Sequence, residues 1–296
     1  VNFHVWQPCN MRCTYCFAKF RDVRAEVLPA GHLSRPDAIE VVRLLAEAGF
    51  QKITFAGGEP FLCPWLPELI DVARNGGLTT SVVTNGSLLT DELVGELAPV
   101  LDWLVLSIDS ACPGTLRAAG RVTGRRVLGP DEYLSICHRV REAGIRLKIN
   151  TVVSRLNWRE DLGRLIVEAR PLRWKIMQVL PISGQNSPEG EMEVAPAQFE
   201  EFVARHRHVE RHGITVVSET NEQMIGSYAM VDPAGRFFDN TAGFYRYSDP
   251  ILACGAGNAM AQVIIDREKF LARGGRYDWA ADPSVRLVAR GAAPPD

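Results

Sequence analysis

The sequence predicts an α/β protein built on a mostly parallel sheet, and three observations carry that reading. Short β-branched runs alternate with amphipathic stretches of helical period. The helical stretches are bounded by cap residues, prolines and glycines. The composition, 46% hydrophobic and 23% charged over 296 residues, is that of an ordinary globular chain. In chain order the strands are Asn2 to Trp6, Lys52 to Ala56, Thr80 to Thr84, Trp103 to Ile108, Arg146 to Val153 and Trp174 to Leu180, which makes six βα units. The first intervening helix starts at the N-cap Ser34, followed by Arg35 and Pro36, carries Ile39, Val42, Leu44 and Leu45 on one side, and stops at Gly49. Further helices are expected at Trp65 to Arg74, Thr90 to Leu101, Asp131 to Ala143, Arg159 to Ala169 and Pro196 to His212. Beyond residue 213 the alternation weakens. Ile214 to Ser218 reads as a strand, and Asp232-Pro233-Ala234-Gly235 as a turn between two apolar runs. This divides the chain into a βα body over 1–213, a capping lobe over 214–279 and an aperiodic Ala-, Pro- and Arg-rich tail over 280–296.

Composition also excludes functions. Lys plus Arg total 33 against 35 for Asp plus Glu, so a net charge of −2 gives no broad positive field for sequence-independent nucleic-acid binding. The stretch Ile251 to Ile265 is interrupted by Gly255, Gly257, Asn258 and Gln262 and is too short to span a bilayer. With no export or organelle signal at the start, a cytoplasmic location is expected. The seven cysteines are unevenly spaced, with Cys9, Cys13 and Cys16 crowded and Cys63, Cys112, Cys137 and Cys254 apart. Metal thiolates fit that pattern better than a disulfide frame.

Cys9, Cys13 and Cys16 form CxxxCxxC in the loop after the first strand. A structural zinc ion needs four closed ligands, and no other cysteine is suitably spaced. A four-iron cluster on three thiolates keeps one iron open to a further ligand. The alternatives are a zinc loop and three free cysteines. After the second strand, KITFAGGEP places Gly57 and Gly58 where a backbone must approach closely, or where the chain only bends.

CxxxCxxC with Tyr15 before its last cysteine, together with GGEP, resembles the radical S-adenosylmethionine enzymes. That resemblance implies a partial (β/α)6 barrel with a C-terminal capping lobe, and a [4Fe-4S] cluster on Cys9, Cys13 and Cys16. S-adenosylmethionine would be held by Gly57, Gly58 and Glu59, by Asn85 in TNG and by Ser107 in LSIDS, where Asp109 lies in the same crevice. Singly, these last residues also read as turn and cap chemistry.

Lys148 and Asn150 share a face of the fifth strand, Arg173 and Lys175 a face of the sixth, and Lys52 begins the second. Unpaired cations inside a barrel are costly, so they face solvent or meet an anion. Beside such a cofactor a polyanion is favoured, and a nucleoside triphosphate fits in the absence of a GxxxxGK[ST] loop.

The stretches NFH…CNMRCTYCF, KITFAGGEPFL, TNGSLL, LKINTVVSRLN, RWKIMQVLPISGQN, NEQMIGSYAMVDPAGRFF and ARGGRYDW narrow the resemblance to the viperin family, especially its prokaryotic members. This implies dehydration of CTP, or of UTP or GTP, to a 3′-deoxy-3′,4′-didehydro chain terminator for antiviral defence, with a one-electron reductant as partner. Lys52, Lys148, Arg173, Lys175 and Arg273 would hold the triphosphate, Asn2 and Asn150 the base or ribose, and Arg121 the S-adenosylmethionine carboxylate. Tyr228 would donate a hydrogen atom, against a simple packing role. PISGQN and Phe244 to Ser248 depart from the animal pattern and leave the base open, and the amphipathic helix of animal members is lacking, so membrane attachment is not carried over. Other radical S-adenosylmethionine reactions, on peptides or purines, and a non-catalytic metal-binding module are the competing functions.

Overall fold

The computed structural model describes residues 1–186 and 191–279; the tail expected over 280–296 lies outside them. The strands are β1 (Asn2–Trp6), β2 (Lys52–Gly57), β3 (Thr79–Thr84), β4 (Trp103–Ser107), β5 (Arg146–Val153), β6 (Arg173–Gln178), β7 (Thr215–Glu219), β8 (Met230–Val231), β9 (Arg236–Asp239) and β10 (Arg246–Pro250). They form one ten-stranded sheet in the order β10-β9-β8-β1-β2-β3-β4-β5-β6-β7. From β1 to β7 every neighbouring pair is parallel. The helices are α1 (Arg35–Glu47), α2 (Leu66–Asn75), α3 (Asp91–Leu97), α4 (Pro113–Ala118), α5 (Pro130–Glu142), α6 (Gly163–Ala169), α7 (Pro196–His206), α8 (Asn221–Met224), α9 (Ile251–Cys254), α10 (Ala256–Met260) and α11 (Arg267–Ala272).

The six expected βα units are present. Ser34 caps α1 by accepting from the Asp37 N–H, with Pro36 in the first turn. The buried face of α1 is Ala38, Val41, Val42 and Leu45, whereas Ile39 and Leu44 are partly buried at its margins. The helix expected from Arg159 begins only at Gly163, the one expected to reach Leu101 ends at Leu97, and the one expected over Pro196 to His212 is α-helical to His206 and 3₁₀ over Arg207–His212. The strand read as Ile214 to Ser218 is shifted by one residue and continues the parallel sheet on β6. The turn at Asp232 to Gly235 joins β8 to β9 as an antiparallel pair, and β8 lies parallel to β1. Beyond residue 213 the chain therefore completes both edges of the same sheet.

Alternation along the strands sorts two faces. Ile53 and Phe55, Leu104 and Leu106, Leu147 and Ile149, and Trp174 and Ile176 enter one core with the helices. Lys52, Lys148, Asn150, Arg173 and Lys175 take the other face. The Lys175 ammonium on β6 contacts the hydroxyl of Tyr228, two residues before β8. In a flat sheet, six strand spacings would separate β6 from β8 by about 28 Å. The sheet is therefore curled, and the polar face is its interior.

Candidate active site

The cysteine loop leaves the C-terminal end of β1 and is fixed from two sides. The Arg12 and Thr14 N–H groups donate to Gly120 O and Ala119 O at 3.1 and 3.0 Å. From β2, Gly58 N–H donates to Trp6 O at 2.5 Å and Glu59 N–H to Pro8 O at 3.0 Å. A Cβ on Gly57, whose φ is +152°, would lie 2.3 Å from Trp6 O, and one on Gly58 would lie 2.2 Å from Pro8 O. Both glycines are thus required by the approach of the loop itself. Burial pushes the Cys9 thiol up to about 11 and the Cys16 thiol to about 12, and raises that of Cys13 as well. Among the described residues no three His, Cys, Asp or Glu side chains are gathered closely enough to hold a single metal ion.

Behind the loop lie two buried carboxylates. Glu59 accepts from Thr84 Oγ1 at 2.7 Å, Asn85 N–H at 2.9 Å and Phe61 N–H at 3.2 Å, and burial raises it to about 6. Its role within the fold is to tie β2 to the end of β3. Asn85 Nδ2 donates to Asn10 Oδ1 at 2.9 Å, which fastens TNG to the cysteine loop. Asp109 pairs with Arg121 at 2.8 Å, accepts from the Tyr15 hydroxyl at 2.5 Å and from Val152 N–H at 2.6 Å. Arg121, 5% exposed, also donates to the backbone oxygen of Ser107 at 2.6 Å and meets the Cys13 thiol. The expected cofactor residues therefore converge on one end of the barrel, already joined by their own hydrogen bonds.

The interior cations sit toward the N-terminal ends of the strands. Lys175 and Arg273, each 7% exposed, pair with Glu219 at 2.7 and 2.9 Å. Tyr228 donates its hydroxyl to Glu219, lies against Lys175 and is covered by the Arg273 guanidinium at 3.7 Å from its ring centre. Arg173 donates to Gly274 O at 2.8 Å and Lys52 to the Tyr277 hydroxyl at 2.6 Å. Lys148 has no hydrogen bond or ion pair among the described residues, and Asn150 Oδ1, two residues on, is buried without a partner. Asn2 lies in register with Thr54 of β2 at the near edge of this face. Burial and the neighbouring cations lower Lys52 to about 7 and Lys175 to about 8, and hold Lys148 well below the usual lysine range. Glu219 is the one carboxylate paired with this group among the described residues, and Lys175 and Arg273 hold it near 2 against its burial.

Glu219 was not anticipated. Ending the strand at Ser218 removed it from the face it shares with Val217. Also unanticipated is the aromatic plug: Trp279 O accepts from Trp103 Nε1 at 3.0 Å, and Tyr277 stacks beneath Arg173 at 4.3 Å. Tyr228 lies among the interior cations. The segments PISGQN and Phe244 to Ser248, expected from the sequence to differ from the animal pattern, lie together. Gln185 Oε1 accepts from Phe20 N–H at 2.8 Å, Asn186 Nδ2 donates to Tyr15 O at 3.2 Å, and the Tyr245 and Tyr247 hydroxyls donate to Phe17 O and Asp22 at 2.8 and 2.6 Å. Both segments clamp the chain around and after Cys16.

Residues 5–166 match the family model described as the radical SAM superfamily. An S-adenosylmethionine-dependent nucleotide dehydratase of Flammeovirga pacifica is 47% identical over 282 residues, 94% of this chain and 95% of that protein. One of Lacinutrix mariniflava is 49% identical over 97% of this chain, which spans 60% of that longer protein. The dehydratase RSAD2 of Danio rerio is 33% identical over 95% of this chain and 78% of its own length. Among solved structures, Streptococcus suis SuiB bound to S-adenosylmethionine superposes with a TM-score of 0.59 at 16% identity, covering 80% of this chain and 58% of that one. Native anSMEcpe with bound AdoMet gives 0.60 at 15% identity, over 80% and 73%.

Proposed function

Because this chain belongs to the radical S-adenosylmethionine superfamily and, within it, to the viperin family, we propose that it dehydrates a nucleoside triphosphate to the 3′-deoxy-3′,4′-didehydro analogue. The observation that carries the substrate class is the group of interior cations, Lys52, Lys148, Arg173, Lys175 and Arg273, of which only Lys175 and Arg273 pair with a carboxylate, Glu219, among the described residues. Buried like charges are tolerated when a polyanion completes them. Val153 ends β5 five residues beyond Lys148, about 16 Å along the strand, room for a ribose between phosphates and the cysteine end.

Cys9, Cys13 and Cys16 suit a [4Fe-4S] cluster: three thiols in one loop fixed by backbone hydrogen bonds, with raised pKa values that metal ligation would overcome. When bound, the cluster and S-adenosylmethionine supply a carbon radical that takes a hydrogen atom from the substrate. The chain's own residues position and exclude water. Glu59, Asn85 and Asp109 hold the loops of the cofactor end, and Gly57 and Gly58 admit the cysteine loop. Arg121 and Ser107 would face the cofactor's methionine part, with Arg121 fixed by Asp109. Lys148, Lys175 and their neighbours would grip the triphosphate, with Asn2 and Asn150 toward ribose and base. Tyr228 would give up its phenolic hydrogen once the 3′-hydroxyl has left as water. Its proton already points to Glu219, and burial keeps the phenol protonated well past its ordinary range.

The reading is tested by anaerobic reconstitution with iron and sulfide, then incubation with S-adenosylmethionine, dithionite and CTP, UTP and GTP in competition. A 5′-deoxyadenosine yield matched by a product 18 mass units lighter than one nucleotide supports it. Cofactor cleavage indifferent to all three nucleotides would remove it. No helix among the described residues is long and apolar enough to cross a membrane.

A further inference from the structure

We propose that the basic surface beside the cysteine loop is the docking face for an acidic one-electron carrier protein; this rests on the functional reading above, which requires an electron from outside. Cys9 is exposed, so the loop that would hold the cluster reaches the surface. Arg12, between Cys9 and Cys13, is exposed and has no ion pair among the described residues. Its backbone N–H bonds Gly120 O, which brings the α4 turn alongside. From Ala111 to Pro130 the chain holds Arg117, Arg121, Arg125 and Arg126 and no Asp or Glu. Arg121 is consumed by Asp109 and Arg126 by Glu132. Arg117 and Arg125 remain exposed without a carboxylate, the Arg117 guanidinium donating to Arg125 O at 3.1 Å. Following the loop in sequence, Arg21 and Arg24 are exposed, opposed locally by Glu26, while Asp22 is engaged by Tyr247 and Gln185. Phe17, directly after Cys16, is 39% exposed and adds apolar surface at the end of the cysteine loop, its ring edge-on to His4 at 5.9 Å.

In a chain of net charge −2 this excess is local. An excess of exposed cations beside an apolar contact steers an oppositely charged partner and governs its on-rate more than its affinity. The patch therefore suits a protein carrying a flavin or iron–sulfur group behind acidic side chains. In the transfer the carrier is oxidised by one electron and the bound cluster reduced by one, with no bond made or broken.

The test compares two reductants on the reconstituted enzyme. Dithionite is small and needs no docking face; a flavodoxin, reduced beforehand, is the acidic probe. In R21E/R117E/R125E the rate of 5′-deoxyadenosine formation with flavodoxin should fall about tenfold at low salt, its dependence on ionic strength should flatten, and iron content and the dithionite-driven rate should stay at the wild-type level. R117E/R125E, which leaves the cysteine loop untouched, should lose about threefold. Direct titration of flavodoxin binding, followed by flavin fluorescence, should weaken in the same order. Unchanged flavodoxin kinetics and binding in both variants would overturn the proposal. So would a raised nucleotide KM with normal flavodoxin dependence, which would make the patch a steering surface for substrate. Wild-type enzyme inert with dithionite would instead sink the functional reading, and the binding titration would still judge the docking face.

Discussion

The two ends of the barrel are built on opposite electrostatic plans. At the C-terminal ends of the strands each buried charge meets its partner within the protein: Asp109 with Arg121, and Glu59 with Thr84 and two backbone N–H groups. Toward the N-terminal ends, Lys148 has no partner among the described residues and three neighbouring cations depress it further. The first end is finished before any ligand arrives, which suits a cofactor that must sit in one geometry. The second is left short of negative charge, and a polyanion would complete it. Removing a charge should therefore have opposite effects at the two ends.

The largest expected effect is at the cofactor end. Replacing Cys9, Cys13 and Cys16 together by Ala should abolish iron binding on reconstitution and 5′-deoxyadenosine production, read by iron analysis and chromatography. A variant that still cleaves S-adenosylmethionine would exclude these ligands. Next comes Tyr228→Phe, which keeps the ring under Arg273 and removes the transferable hydrogen. Dehydrated product per 5′-deoxyadenosine should fall about tenfold, while nucleotide-dependent cofactor cleavage persists; an unchanged ratio would leave Tyr228 a packing role.

A paired measurement then sharpens the contrast. Asp109→Ala strands the buried Arg121 and should lower unfolding stability by about 3–5 kcal/mol. Lys148→Met replaces a partly buried amine that has no partner among the described residues and that burial and three neighbouring cations hold well below the usual lysine range, and should raise the stability of the ligand-free protein on the order of 1 kcal/mol. The same Lys148 variant should weaken nucleotide binding by about 1.5–3 kcal/mol. Urea denaturation and calorimetric titration check these signs; destabilisation by both substitutions would dissolve the distinction between the ends.

The smallest effect concerns pH. Lys52 and Lys175 titrate near 7 and 8 in the fold, below the ordinary lysine value of 10.5. Between those values and 10.5 the unfolded chain binds more protons, so these two groups make ligand-free stability rise with pH across that window. Nucleotide affinity should run the other way, falling several-fold from pH 6.5 to 8.5, because the neutral amines must take up protons to meet phosphate. Calorimetry in buffers of different ionisation enthalpy should record proton uptake on binding at pH 8. Uptake of none would place these lysines away from the phosphates.

Much of the fold was legible because its signals are local. The β-branched runs, the Ser34 cap with Pro36, and the turn at Asp232 to Gly235 act through neighbouring residues, and their elements lie within a few residues of their expected bounds. The cysteine spacing and the alternation of Lys148 with Asn150 were equally readable, since a loop and a strand fix which side chains can share a ligand or a face.

What the sequence by itself determined was the set of parallel units, the loop that gathers three cysteines and a face of inward cations. Only the tertiary structure decided how those cations are balanced. Glu219 ends a strand whose register on β6 is a long-range fact, and Tyr228 reaches Lys175 because the sheet curls until segments six strands apart touch. It also decided that Gly57 and Gly58 answer to the backbone of Trp6 and Pro8, and that PISGQN and Phe244 to Ser248 close on the chain around Cys16. Spacing along one chain records local geometry. Charge compensation in a buried interior depends on which distant segments are brought within a few ångströms, and packing alone sets that.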